Sequence, residues 1–267
     1  MCLIAFAWRS HSRYPLVLIA NRDEFHARPA AAADADPEVP EVYGGRDLVE
    51  GGSWLQVSTR KRLAAVTNVR TGLNRDKKPR SRGWLVRDFV RGDEGAVEFA
   101  AAQEHTAGEH GPFNLLLWDG AALAFASNHP RPDLQSVSPG LHAMSNGAFD
   151  APWPKSGHAT RALAAWLAAP QSGADNMDSA ALAPLFDALA DTTVAPDSLL
   201  PDTGVGETLE RALSPPFVSD ERYGTRCSSV VLLANDHFVF AERRFGPRAL
   251  PAGESLIALP FQPPPHM

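Results

Sequence analysis

The sequence predicts an α+β fold, layered rather than doubly wound. Three observations carry this. Four pairs of short apolar runs close on turns as antiparallel hairpins. Helical stretches fall in two blocks instead of following each strand. The resulting order is strands, helix, strands, helices, strands.

Taken in order, Leu3-Ile4-Ala5-Phe6-Ala7-Trp8 and Pro15-Leu16-Val17-Leu18-Ile19-Ala20 form the first hairpin, and its return strand ends in Asn21-Arg22-Asp23-Glu24. Ala30 to Pro37 reads as an ordered, polar, Pro-bounded loop. Val42 to Asp47 and Gly51-Gly52-Ser53-Trp54-Leu55 carry glycines suited to tight turns before short strands. Trp54 to Val57 and Leu63 to Asn68 make the second hairpin, closed by Asn68-Val69-Arg70. Ser81-Arg82-Gly83 introduces a helix from about Trp84 to Gln103, weakened at Gly92 and Gly95. Phe113 to Asp119 and Ala122 to Ser127 flank Gly120 as the third hairpin. A strand from Gly140 ends at Asn146. Lys155 to Ala168, Ser179 to Ala190 and Gly206 to Leu213 read as helices. Arg226 to Ala234 pairs back with Phe238 to Arg243, and the Pro-rich tail from Pro260 to Met267 is expected to be loose. No internal repeat or long linker splits the chain, so a single domain over residues 1–267 is expected.

Composition excludes several classes. A hydrophobic content of 44% suits a soluble globular protein. The net charge of −6 argues against general nucleic-acid binding, although the third containing Arg22 to Arg87 is locally basic and suits a small anionic ligand. No stretch approaches the ~20 apolar residues of a membrane span. The opening lacks a basic segment before its apolar run, as a signal peptide requires, and Cys2 rules out N-myristoylation. A cytoplasmic location is the expectation. The two cysteines, Cys2 and Cys227, lack metal-site or redox-motif spacing. They would allow one disulfide, but a reducing compartment is the simpler reading. There is no P-loop and no dinucleotide fingerprint. Gly51-Gly52-Ser53-Trp54-Leu55 departs from a nucleophile elbow at its last position. His105 and His110 are wrongly spaced for one metal.

Cys2 remains. Once Met1 is removed, its thiol and a free α-amino group share one residue. The amine titrates near ~8 and the thiol near ~8.5, so the amine can take the thiol's proton. Asp23 is placed to hold the amine. Asn68 or Asn146 would donate to an oxyanion, and Arg22 or Arg226 would fix geometry or bind an anionic substrate. Against this, a cysteine opening an apolar strand is commonly a small buried hydrophobe, and a strand-end Asn is commonly a turn residue.

Met1-Cys2, Asn21-Arg22-Asp23-Glu24 with Arg28-Pro29, Gly51-Gly52-Ser53-Trp54-Leu55, Thr67-Asn68-Val69-Arg70, Ser81-Arg82-Gly83, Ser145-Asn146-Gly147 and Tyr223-Gly224-Thr225-Arg226 together resemble the NRDE family, also called the transport-and-Golgi-organisation protein 2 family. The resemblance runs nearly end to end. It implies a four-layer αββα sandwich of two antiparallel sheets, like the N-terminal-nucleophile (Ntn) hydrolases. The chain is also distantly similar to choloylglycine hydrolases and penicillin V acylases. That similarity implies Cys2 as nucleophile, Asp23 as the carboxylate positioning its amine, Asn68 and Asn146 on the oxyanion side, and Arg226 as a late active-site arginine. Asn21, Arg22, Glu24, Arg28, Trp54 and Arg70 are the expected substrate-binding residues. One departure bears on amidase activity: those enzymes carry an Arg three residues before the Asp, where this chain has Ala20. Arg22, adjacent to Asp23, points to the opposite strand face and so is not expected to replace it.

Three functions stay open. The first is an amide or thioester hydrolase for a small acylated substrate, needing no cofactor. The second is a non-catalytic binding or trafficking protein for haem or a lipid or acyl-CoA-type hydrophobic anion, although no Cys-Pro haem motif occurs. The third is a scaffold on an inherited fold.

Overall fold

The computed structural model describes residues 2–73, 78–173 and 177–263, and of Cys2 the backbone alone. In chain order the strands and helices are β1 (Cys2–Trp8), β2 (Leu16–Phe25), β3 (Ala30–Ala35), β4 (Val42–Asp47), β5 (Leu55–Ser58), β6 (Arg62–Asn68), α1 (Arg82–Arg91), α2 (Ala96–Ala102), β7 (Phe113–Trp118), β8 (Leu123–Ser127), β9 (Asp133–Ser136), β10 (Gly140–Met144), α3 (Pro154–Ala168), α4 (Ser179–Leu189), α5 (Glu207–Ala212), β11 (Tyr223–Leu233), β12 (His237–Phe245) and β13 (Pro251–Pro260). One sheet runs β10-β1-β2-β11-β12-β13 and the other β3-β4-β5-β6-β7-β8-β9. All neighbours within each sheet are antiparallel.

Side-chain alternation builds four layers. Between the sheets, Ile4, Phe6, Leu18, Leu55, Leu63, Leu116, Val231 and Phe240 form one core. On the outer face of the first sheet, Ala5, Val17, Ile19 and Val230 pack against Leu163 and Trp166 of α3 and Leu182 and Leu185 of α4. On the outer face of the second, Ala64, Leu115 and Leu117 meet Leu85, Phe89 and Phe99 from α1 and α2. Strands covered on both faces need apolar residues at every position. This is why Leu16 to Ala20 is an unbroken apolar run, buried throughout.

The four expected hairpins form. The expected helix from Trp84 to Gln103 is instead two. Ser81 Oγ accepts from the Gly83 N–H at 3.3 Å and starts α1. Gly92 is extended and ends it. A second start follows at Ala96, whose N–H donates to Asp119 Oδ2 at 2.8 Å. Ala30 to Pro37 contains an edge strand, β3, rather than a loop. Its alanines stack on β4, and Tyr43 donates its hydroxyl to the Ala33 carbonyl at 3.0 Å. The tail expected to be loose from Pro260 begins instead at the end of β13, whose Ile257 and Leu259 pack onto the inter-sheet core. Residues 264–267 lie outside the described residues. No helix among the described residues is long and apolar enough to cross a membrane.

Candidate active site at the strand ends

In the first sheet the register places Cys2 opposite Arg22, and Arg22 opposite Cys227. Cys227 in turn faces Arg244. These four positions form one row across the sheet, and Arg22, Cys227 and Arg244 stand on the face that looks into the sandwich. Continuing the β1–β10 register two residues past Ile4–Met144 brings Asn146 level with Cys2. The order across the row is Asn146, Cys2, Arg22, Cys227, Arg244. The two cysteines are separated by the whole of β2, about 10 Å at ordinary strand spacing. That exceeds the Cα reach of a disulfide, and Cys227 is buried. Removal of Met1 and the Cys2 thiol lie outside the described residues.

Arg22 and Ala20 are two residues apart, and their side chains share a strand face. Ala20 belongs to the inter-sheet core, and both residues line one narrow inter-sheet crevice. Arg22 points to the face opposite Asp23, as expected, and that is the face on which the absent arginine of the related enzymes would stand. Arg22 lies one register step nearer the strand end. Its guanidinium stacks over Trp54 at 4.1 Å. The residue is 6% exposed, and its Nη1 is buried without a hydrogen-bond partner.

Trp54 is held flat by its own motif. A side chain at Gly45 would collide with the indole ring, so only glycine leaves the ring its place. Ser53 ties the loop down, donating from Oγ to the Gly45 carbonyl at 2.6 Å and from its N–H to Gly83 O at 3.0 Å. Gly52 lies against the Gly83 backbone where a Cβ would clash. The glycine-rich segment and Ser81-Arg82-Gly83 are thus two halves of one contact beneath the site.

Asp23 faces the helix layer and is 1% exposed. Thr225 Oγ1 donates to its Oδ1 at 2.7 Å. Burial raises its carboxyl pKa, opposed by the nearby Lys155 charge, the Thr225 hydrogen bond and Arg22. Lys155, on α3, is buried and donates to the Leu213 carbonyl at 3.1 Å. Sequence reasoning missed Lys155, because a lysine at a helix start normally reads as solvated. Thr225 lay within a quoted motif without an assigned role.

The two strand-end asparagines meet. Asn146 Nδ2 donates to the Asn68 carbonyl at 2.7 Å, while the Arg70 N–H donates to the Asn146 carbonyl at 2.8 Å. Thr67 Oγ1 adds a bond to Ser145 O at 2.6 Å. These bonds stitch β6 of one sheet to the end of β10 in the other. The Asn146 amide is thereby engaged with backbone, whereas the Asn68 side chain makes no such bond among the described residues.

Arg226 sits at a bulge in β11, where the register shifts between Thr225 and Cys227. Bulges re-aim side chains beside sites. Its Nη1 donates to Phe25 O and Arg28 O, both at 2.9 Å, and its Nε is buried without a partner. Burial, then the neighbouring Arg22 charge, lowers its pKa.

The other expected binding residues have partners of their own. Asn21 points to the helix side. It donates to Leu189 O at 2.8 Å and Pro216 O at 2.9 Å, and accepts from Ser228 Oγ at 2.6 Å. Glu24 accepts from the Phe25 N–H at 2.8 Å. Arg28 pairs with Asp47, Nε to Oδ2, at 2.9 Å. Arg70 forms a buried ion pair with Glu210. No cluster of His, Cys, Asp and Glu suited to a metal ion occurs among the described residues.

The layered sandwich has solved counterparts. An N-acylethanolamine-hydrolyzing acid amidase orthologue from Caenorhabditis elegans aligns with a TM-score of 0.50 at 11% identity, covering 86% of this chain and 92% of that one. A mutant of conjugated bile acid hydrolase from Clostridium perfringens aligns at 0.53 and 6% identity, covering 97% and 92%. At these identities the likeness establishes the Ntn-hydrolase fold alone. Sequence similarity reaches further. Transport and Golgi organization protein 2 homologues from Bos taurus and Homo sapiens are each 32% identical, over 265 and 260 residues, covering 91% of this chain and 92% of each relative. A family model described as Transport and Golgi organisation 2 matches residues 1–247, which span every motif of the strand-end site. The chain therefore belongs to the Transport and Golgi organisation 2 family.

Proposed function

We propose that this protein is an Ntn-type hydrolase that opens an amide or thioester bond of a small acylated substrate at Cys2. The observation that carries the reading is the cross-strand row, in which Cys2 stands between Asn146 and Arg22 with Asp23 buried one residue beyond. After loss of Met1, the α-amine of Cys2 takes the thiol proton and Asp23 holds the resulting ammonium. The thiolate adds to the substrate carbonyl, and the Asn68 amide with a backbone N–H receives the oxyanion. Collapse expels the amine or thiol, which leaves with the proton from the ammonium. Water then adds to the acyl-Cys2 thioester, gives its proton to the α-amine, and releases the acid. Asn146 fixes Asn68 through its carbonyl, so its role here is positioning. Arg226 ties the end of β2 to the segment that carries Arg28.

The test combines intact mass and turnover. Purified protein lacking Met1 is screened against acyl amides and acyl thioesters beside Cys2→Ala. Turnover confined to the wild type is the expected result. Equal turnover by Cys2→Ala overturns the mechanism.

A second reading is a binding or trafficking protein for haem or an acyl-CoA-type anion in the cytoplasm. Phe25, Leu48 and Val49 favour it, being 49%, 54% and 52% exposed at the end of β2 and the turn after β4. A haem titration without a saturable Soret shift removes the haem form.

A further inference from the structure

Arg22 presents an electrostatic problem that the fold leaves unsolved. It is 6% exposed, and its Nη1 is buried with no hydrogen-bond or ion-pair partner among the described residues. The neighbouring cations near the strand ends have acceptors: Arg70 has Glu210, Lys155 has the Leu213 carbonyl, and the half-buried Arg226 has two carbonyls. Arg244, further along the row, has Glu242 at 3.1 Å. A buried charge without a partner is costly and is retained where something else supplies the partner. The guanidinium carbon lies 4.1 Å from the centre of the Trp54 ring, and an arginine held on an aromatic face can make two parallel bonds to one planar group. The carboxylates beside it are otherwise engaged: Asp23 points to the helix side and accepts from Thr225, while Glu24 accepts from Phe25. Arg226 is close enough for its charge to be felt, so the local field favours an anion.

We propose that Arg22, with Trp54 as its platform, is the receptor for an oxyanionic group, a carboxylate or a phosphate, carried by the substrate beside the bond that Cys2 attacks. The placement beside Cys2 rests on the hydrolase reading; the anion site does not. The crevice behind Arg22 is closed by Ile4, Ala20, Leu55 and Val66 and measures about 10 Å³, room for a single water. The anionic group therefore enters from the strand ends, and the rest of the ligand stays outside the sheets.

The test is a titration with sodium acetate and with inorganic phosphate at constant ionic strength. It reads the indole N–H resonance of Trp54, assigned by its loss in Trp54→Phe. Wild type, Cys2→Ala, Arg22→Gln and Arg22→Lys are compared. Saturable shifts in wild type and Cys2→Ala, absent in Arg22→Gln, are expected. Arg22→Lys should bind roughly tenfold more weakly, the worth of one charge-assisted hydrogen bond, and it serves if Arg22→Gln does not fold. Saturation by acetate alone identifies a carboxylate, by phosphate alone a phosphate. No saturable shift with either anion overturns the proposal. So does saturation in Cys2→Ala only, which would assign Arg22 to the Cys2 thiolate. Neither failure touches the hydrolase reading, which is decided by turnover.

Discussion

Replacing Arg22 by Met should make the ligand-free protein more stable. Removing an unpaired guanidinium from water costs several kcal/mol. The face of Trp54, 4.1 Å away, returns about 2 kcal/mol of this. Methionine keeps the apolar stem, introduces no charge, and sets its sulfur against the same ring for about 0.3–1.5 kcal/mol. The balance favours Arg22→Met by about 1–3 kcal/mol, and each kcal/mol raises Tm by roughly 2–4 °C in a chain of this size. Urea unfolding in a buffer free of phosphate and carboxylates measures it, with a thermal melt as the second probe. Adding whichever of acetate or phosphate saturates the site should then stabilise the wild type and leave Arg22→Met unmoved, since only a native-state binder shifts the equilibrium. A loss of 1 kcal/mol or more in Arg22→Met would refute the reasoning, because it would mean that the guanidinium is satisfied within the fold.

Three further outcomes follow from neighbouring contacts. Burial raises the Asp23 pKa, so folding favours its protonated form. That stability is present below the ordinary carboxylate value of about 3.9 and is lost as pH rises through the raised one. Asp23→Asn should remove this loss, and urea midpoints from pH 4 to 8 should show the variant gaining on the wild type as pH rises. Arg70→Met leaves Glu210, 3% exposed, without its cation and should cost about 3–5 kcal/mol in urea unfolding. Gly45→Ala drives a methyl into the Trp54 ring and should cost about 1–3 kcal/mol while abolishing the anion-dependent Trp54 shift.

The hairpins were legible because their strands are continuous apolar runs ending in polar residues, and covering both faces of a sheet demands such runs. The edge strands were not. β3 is alanine with a single aspartate, Asp34, a composition that gives no strand alternation, and it forms because β4 offers a ladder. β13 begins Pro251-Ala252-Gly253, which reads as a turn, yet Ile257 and Leu259 follow the alternation of a half-buried strand. At the site, Cys2, Asp23 and the asparagines stood out by chemistry. What Arg22 faces did not, because it depends on counting two residues back to Ala20 rather than one forward to Asp23. Arg28 and Arg70 show the converse limit. Arginine in a motif reads as a ligand for substrate, and only the fold reveals Asp47 and Glu210 beside them.

The strand standing between Cys2 and Cys227 also governs oxidative damage. A sulfenic acid formed at position 2 would find no resolving thiol within reach, since the only other cysteine is held two strands away and buried. Such a lesion cannot close into an internal bridge, and its recovery depends on an external thiol, by way of a mixed disulfide whose lifetime is set by the surrounding reductant pool.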